Sequence, residues 1–166
     1  MQPIEFVIHP PRDNRLHHLK PEDLRTLLAR LPPETYARLR SVHLVDTGRR
    51  IRELGCVQPG HRDIQLVALP PSLNLNGFMF PGQDPQAYGA SWDGAWPAVA
   101  IRRFLLYDVF LHELGHMQIV RAKAGSPRQR FAGEVLAHEF ALGWRDRLWA
   151  AAFDHPDPAH RPPTGD

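Results

Sequence analysis

The stretch His112-Glu113-Leu114-Gly115-His116 decides how the rest of the chain is read. Its two histidines stand four residues apart in a segment whose marker positions, Ile101, Leu105, Asp108, His112 and His116, recur at helical spacing. Four residues is about one helical turn, so both rings leave the same face. Neutral imidazole nitrogen is a standard zinc ligand, and a glutamate directly after the first ligand is placed to act as general base on a water beside the metal. The pattern therefore predicts a zinc site with His112 and His116 as ligands and Glu113 as catalytic base. The competing reading is a helix that carries two surface histidines and binds nothing.

A catalytic zinc takes three protein ligands and keeps one position open. Candidates for the third lie in Phe131-Ala132-Gly133-Glu134-Val135-Leu136-Ala137-His138-Glu139-Phe140-Ala141. The intervening Lys123-Ala124-Gly125-Ser126-Pro127 reads as a helix end, an N-cap and a first-turn proline, which gives two antiparallel helices joined by a short turn. At about 100° per residue, His138 lies roughly 40° from Glu134, and Glu139 roughly 140° away. Glu134 and His138 thus share a face. Either Glu134 is the ligand with His138 supporting the site, or His138 completes a three-histidine set. Asp108, one turn before His112, is placed to accept that ring's other N–H; a surface position is the alternative.

Taken together, His112-Glu-Leu-Gly-His116 and Glu134-x-x-Ala137-x-x-Phe140-Ala141 resemble the gluzincin metallopeptidases, and most of all the small ImmA/IrrE-type and minimal-gluzincin proteins. The resemblance covers residues 101–149 and nothing outside them. It implies a zincin-like α+β fold, in which a small mixed or antiparallel sheet packs on an active-site helix and a second ligand-bearing helix. It also implies Zn2+ as cofactor, Glu134 as third ligand, and a peptide or protein substrate, with a transcriptional regulator among the candidates. His138 falls where the family supports a ligand histidine, although an acidic or amide residue is commoner there. In such folds the strand nearest the active helix pairs with extended substrate. That role is assigned to Ile64, Gln65, Leu66, Val67, Ala68 and Leu69, the alternative being an interior strand without substrate contact.

With 166 residues and 43% hydrophobic content, the chain fits one domain over residues 1–154, followed by a flexible, proline-rich tail over 155–166. No apolar run approaches the roughly 18 residues needed to cross a bilayer, and Met1-Gln2-Pro3-Ile4-Glu5 lacks the blocks of a signal peptide. A soluble, cytoplasmic protein without a membrane partner is predicted. The one cysteine, Cys56, excludes an intrachain disulfide and suits a reducing compartment. It reads as a small buried hydrophobe, or as a thiolate that could occupy the open zinc position. Formal net charge is only +2, and the arginines are scattered in short clusters such as Arg102-Arg103 and Arg128-Arg130, which disfavours nucleic acid as a partner.

Strands are predicted over Ile4 to Ile8, Val42 to Asp46 and Asp63 to Leu69, and helices over Pro21 to Leu31 and Glu34 to Arg40. Ser72 to Pro97 reads as a long loop whose Phe78, Phe80, Tyr88, Trp92 and Trp96 line a pocket or pin the loop to the core. Tyr88, its only phenol, is a candidate donor to a developing oxyanion. One long helix follows from Ala98, and a second from Ser126 to Phe153. The tail's two histidines, His155 and His160, read as incidental. Two other functions fit the sequence: a zinc-binding regulator or pseudoenzyme acting through a protein partner, and a nucleic-acid-associated protein.

Overall fold

Alternation along β2 (Ser41–Val45) and β4 (Asp63–Val67) sets the architecture: Val42, Leu44, Ile64 and Leu66 are buried on one face, while His43 and Gln65 stay half-buried on the other. The computed structural model describes residues 2–48, 53–57, 60–119 and 126–165. β1 (Glu5–Ile8), β2, β3 (Gly55–Val57) and β4 form one mixed sheet in the order β1-β2-β4-β3. β1, β2 and β4 run parallel, and β3 lies antiparallel on β4. The protein is thus α+β, with a small mixed four-stranded sheet beside its helices.

β3 is absent from the sequence reading because three residues are too few to show a period. Its presence moves β4 from the edge to the interior. Ile64 pairs with Val42 on one side and Val57 on the other, Val67 N donates to Leu54 O, and Leu69 bridges to Leu16. Residues Ile64, Gln65, Leu66, Val67, Ala68 and Leu69 therefore cannot offer a free edge to substrate, contrary to expectation; the edge nearest the site is β3.

α1 (Pro21–Ala29) buries Leu24, Leu27 and Leu28 on one stripe, and Asp23 accepts from Lys20 N (2.9 Å) to close its first turn. The helix expected over Glu34 to Arg40 is a single 3-10 turn, Pro33–Tyr36. α2 (Ala98–Phe104) continues through a wide π-helical stretch, Leu105–Phe110, into α3 (Leu111–Gln118). Phe104, Leu106, Tyr107, Phe110, Leu111 and Leu114 are all buried, so the middle of this helix is enclosed and forms the axis of the core. α4 (Pro127–Ala150) starts at a capping box in which Ser126 Oγ accepts from Gln129 N and Gln129 Oε1 accepts from Ser126 N. Gly125 and the preceding turn lie outside the described residues.

Gly115 is where α3 and α4 touch. A Cβ there would stand 3.0 Å from both Cα and O of Ala137, so any side chain would press the two helices apart, and glycine gives this close approach. Among the described residues, no helix is long and apolar enough to cross a membrane.

The C-terminal segment is packed, not loose. Arg103 donates to the carbonyls of Pro158 and Arg161, Arg102 binds Asp157, and Arg30 donates to His160 O. Ala159 and His160 are almost wholly buried. Composition misleads here because a proline-rich strand lacks N–H groups but keeps its carbonyls, and guanidinium groups from distant helices satisfy them.

Candidate metal centre

Because α3 holds both rings on one face and Gly115 lets α4 come close, three side chains converge. Nε2 of His112 lies 2.9 Å from Oε2 of Glu134, Nε2 of His116 lies 3.1 Å from Oε1, and the two Nε2 atoms are 3.0 Å apart. An ion about 2.0–2.1 Å from three donors in a tetrahedral array holds them roughly 3.3 Å apart, so the set has the size and chemistry of a zinc site. Two neutral imidazoles aiming the same nitrogen at each other and at one carboxylate are a poor hydrogen-bond arrangement but a good set of cation ligands.

Charge follows the geometry. The hydrogen bonds from His112 and His116 hold the Glu134 carboxyl far below the usual carboxylate range. Burial works to depress His112, yet its bond to Glu134 and the nearby charges of Glu113, Glu134 and Asp108 raise it overall. Glu113 is 7% exposed, and burial lifts its pKa to about 7, against the opposing pull of the two histidines.

His138, the other angular candidate, stays out of this cluster. It stacks on Phe80 with ring centroids 4.1 Å apart at 17°, and among the described residues its ring nitrogens have no hydrogen-bond partner. Burial lowers its pKa, which favours the neutral ring. It therefore supports neither ligand histidine by a hydrogen bond, but it lines the same cleft as the ligands.

Asp108 is buried, and its Oδ2 accepts from Tyr88 Oη (2.6 Å) and Gln83 Nε2 (2.5 Å), not from the His112 ring. Tyr88 is fully buried and also accepts from Arg145 (2.9 Å). Its hydroxyl does not face the cleft, and burial together with the Asp108 charge pushes its pKa up. Tyr88 is accordingly a prop for Asp108, and the expectation of an oxyanion donor fails because its proton is already committed. Tyr88 and Trp96 pin the long loop against Phe104, while Phe78 and Phe80 line the cleft. Each expectation for the loop aromatics thus holds for different residues.

The cleft encloses about 860 Å3 between α3, α4, the edge strand β3 and loop residues Phe78–Pro81. Cys56, on β3, has its sulfur 3.7 Å from Gln65 Oε1 and does not join the ligand cluster. The contribution of β3, the Phe80–His138 stack and the Arg145–Tyr88–Asp108–Gln83 chain are missing from the sequence reading. Only Gly55, a residue that breaks strands, marks where β3 approaches Val109 closely.

No family model matches the chain, and no curated protein or solved structure shows significant similarity to it.

Proposed function

We propose that the protein is a zinc-dependent metallopeptidase of zincin-like build. The observation that carries this reading is the convergence of His112, His116 and Glu134 with buried Glu113 beside them at the wall of an open cleft. His112, His116 and Glu134 would hold the ion, which when bound would supply Lewis acidity toward a scissile carbonyl and make a water acidic enough to lose its proton near neutral pH. Glu113 takes that proton as the water attacks, then returns it to the leaving amine. A carboxylate screened from solvent but facing the cleft is suited to this shuttle. His138, stacked on Phe80, lines the same space and is the side chain this reading assigns as donor to the oxyanion. β3, the outer strand of the sheet among the described residues, is the edge along which extended substrate pairs.

The test compares wild type with Glu113→Gln, loaded with one equivalent of zinc and supplied with a peptide library. Zinc content should be unchanged, and hydrolysis should fall by roughly 10²- to 10⁴-fold. Full activity in the variant would remove the mechanism. Bound zinc with no turnover by wild type would favour a regulator that uses the metal as a structural centre.

A further inference from the structure

The cleft has two unlike ends. At the C-terminal end of α3, Met117 and Ile119 share the lining with Arg38 and Arg130. Arg38 Nη1 donates to Met117 O (3.2 Å), which fixes that guanidinium to this end. Both arginines are exposed, and among the described residues neither has a carboxylate within ion-pair distance. At the other end Met79, Phe80, Phe104 and Val109 form an apolar wall, with His138 stacked on Phe80 and the carboxylates of Asp108 and Glu53 beside it.

The edge strand connects the two ends in a known direction. Its first residue, Gly55, sits against Val109, where an added Cβ would lie 3.0 Å from Cγ1. Its last, Val57, pairs with Ile64, one residue inside the end of β4 at which Asp63 pairs with Ser41 and Arg40 N donates to Arg62 O. β3 therefore runs from the apolar end toward the arginines. Antiparallel pairing is the more stable mode, so a guest strand on β3 runs the opposite way, from the arginines toward the apolar wall.

Resting on the peptidase reading above, we propose that the substrate is an extended acidic peptide segment. Its carboxylate side chains lie on the N-terminal side of the scissile bond, against Arg38 and Arg130, with the following residues against Met79, Phe80 and Phe104. Charge complementarity supports this choice: Arg38 and Arg130, with no carboxylate partner among the described residues, line one end of the path, whereas the carboxylates of Glu53 and Asp108 line the other. A basic segment entering by the same end would face like charge.

The experiment uses the full chain with Glu113→Gln and one equivalent of zinc, so that binding is read without turnover. Fluorescein-labelled octapeptides carrying three glutamates followed by phenylalanine are compared by anisotropy with the lysine counterpart and with the reversed order, phenylalanine before glutamates. The acidic-first peptide should bind roughly tenfold or more tightly than either, and the gap should shrink near 1 M salt, where the Debye length is about 3 Å. Arg38→Glu with Arg130→Glu should invert the preference at unchanged zinc content; Arg38→Gln with Arg130→Gln should abolish it. Equal binding of acidic and basic peptides, binding of none, or a preference that survives charge reversal would overturn the inference. Wild type is then given the same peptides and the products are read by mass spectrometry. Preference without cleavage by wild type sinks the peptidase reading alone, whereas cleavage without acidic preference sinks the substrate assignment alone.

Discussion

Two regions of this molecule gather ligand-type side chains to the same closeness, yet they are built for opposite ends. His112, His116 and Glu134 have donor atoms within 4.8 Å of one another, and so do Asp23, Asp157 and His160. In the second cluster Arg102 bridges both carboxylates, at 2.7 Å from Asp23 and 2.5 Å from Asp157, and His160 Nδ1 is 2.9 Å from Tyr107 Oη. That cluster already contains its cation and has its bonds made. In the first, among the described residues, no arginine or lysine stands between the three side chains, which meet one another directly at 2.9 to 3.1 Å. The two clusters therefore differ in the identity of the counter-charge, not in the spacing of their side chains, and only the first is left open for the metal proposed above.

The largest expected effect tests the first half of this contrast. Zinc titrated into the metal-free protein should bind at one equivalent, and at about 100 times its dissociation constant should stabilise the fold by about 2.7 kcal/mol in thermal melts. His116→Ala should weaken zinc binding by more than about 100-fold, since even groups that only support a ligand cost 10- to 100-fold. Asp157→Asn should leave zinc affinity untouched. Two equivalents in wild type, or zinc loss in the Asp157 variant, would erase the distinction.

Arg102→Leu tests the second half. It strands two carboxylates against a nearly fully buried histidine and should cost on the order of 3 kcal/mol in denaturant unfolding, with zinc binding retained in the folded fraction. A neutral result would mean that the network is decorative.

Acid separates the clusters further. Hydrogen bonding to Arg102 holds the Asp157 carboxyl at about 2, below its ordinary 3.8. A depressed folded-state value contributes stability that is full above about pH 4 and is lost as pH falls through about 2. The thermal midpoint of wild type should therefore drop across this window more steeply than that of Asp157→Asn. Parallel curves would deny the ion pair its role.

The smallest effect falls on Tyr88→Phe. Removing the hydroxyl leaves Asp108 with Gln83 and takes an acceptor from Arg145, for a cost of about 1–2 kcal/mol in unfolding. Zinc stoichiometry and the turnover number at saturating peptide should change little. A loss near 100-fold in turnover would restore Tyr88 as a group that contacts the reacting carbonyl.

The convergence of His112, His116 and Glu134 is readable because helical periodicity alone fixes which residues share a face, and Glu134 needs only an antiparallel return to reach the histidines. That Glu134 meets the histidine pair while His138 stays apart is not readable from angle, because Phe80, a loop residue 58 positions away, stacks on His138. β4 has the composition of either an edge or an interior strand. Its place was decided by Gly55–Val57, which has too few residues to show alternation. Tyr88 misled because a loop phenol says nothing about which way it turns; Asp108 and Arg145, brought there by two different helices, settle that. The tail failed for the same reason, since its partners Arg30, Arg102 and Arg103 precede it by more than fifty residues.

The wide turn Leu105–Phe110 lets one continuous rod face two ways. Arg102 and Arg103 upstream grip the C-terminal segment, while His112 and His116 downstream look into the cleft. Each residue of a regular helix advances the bearing by about 100°, so excising a single residue within the wide turn would swing the histidine pair by that much relative to the arginines. The bulge thus works as an angular spacer, keeping the anchoring half and the chemical half of one helix in phase with neighbours on different sides.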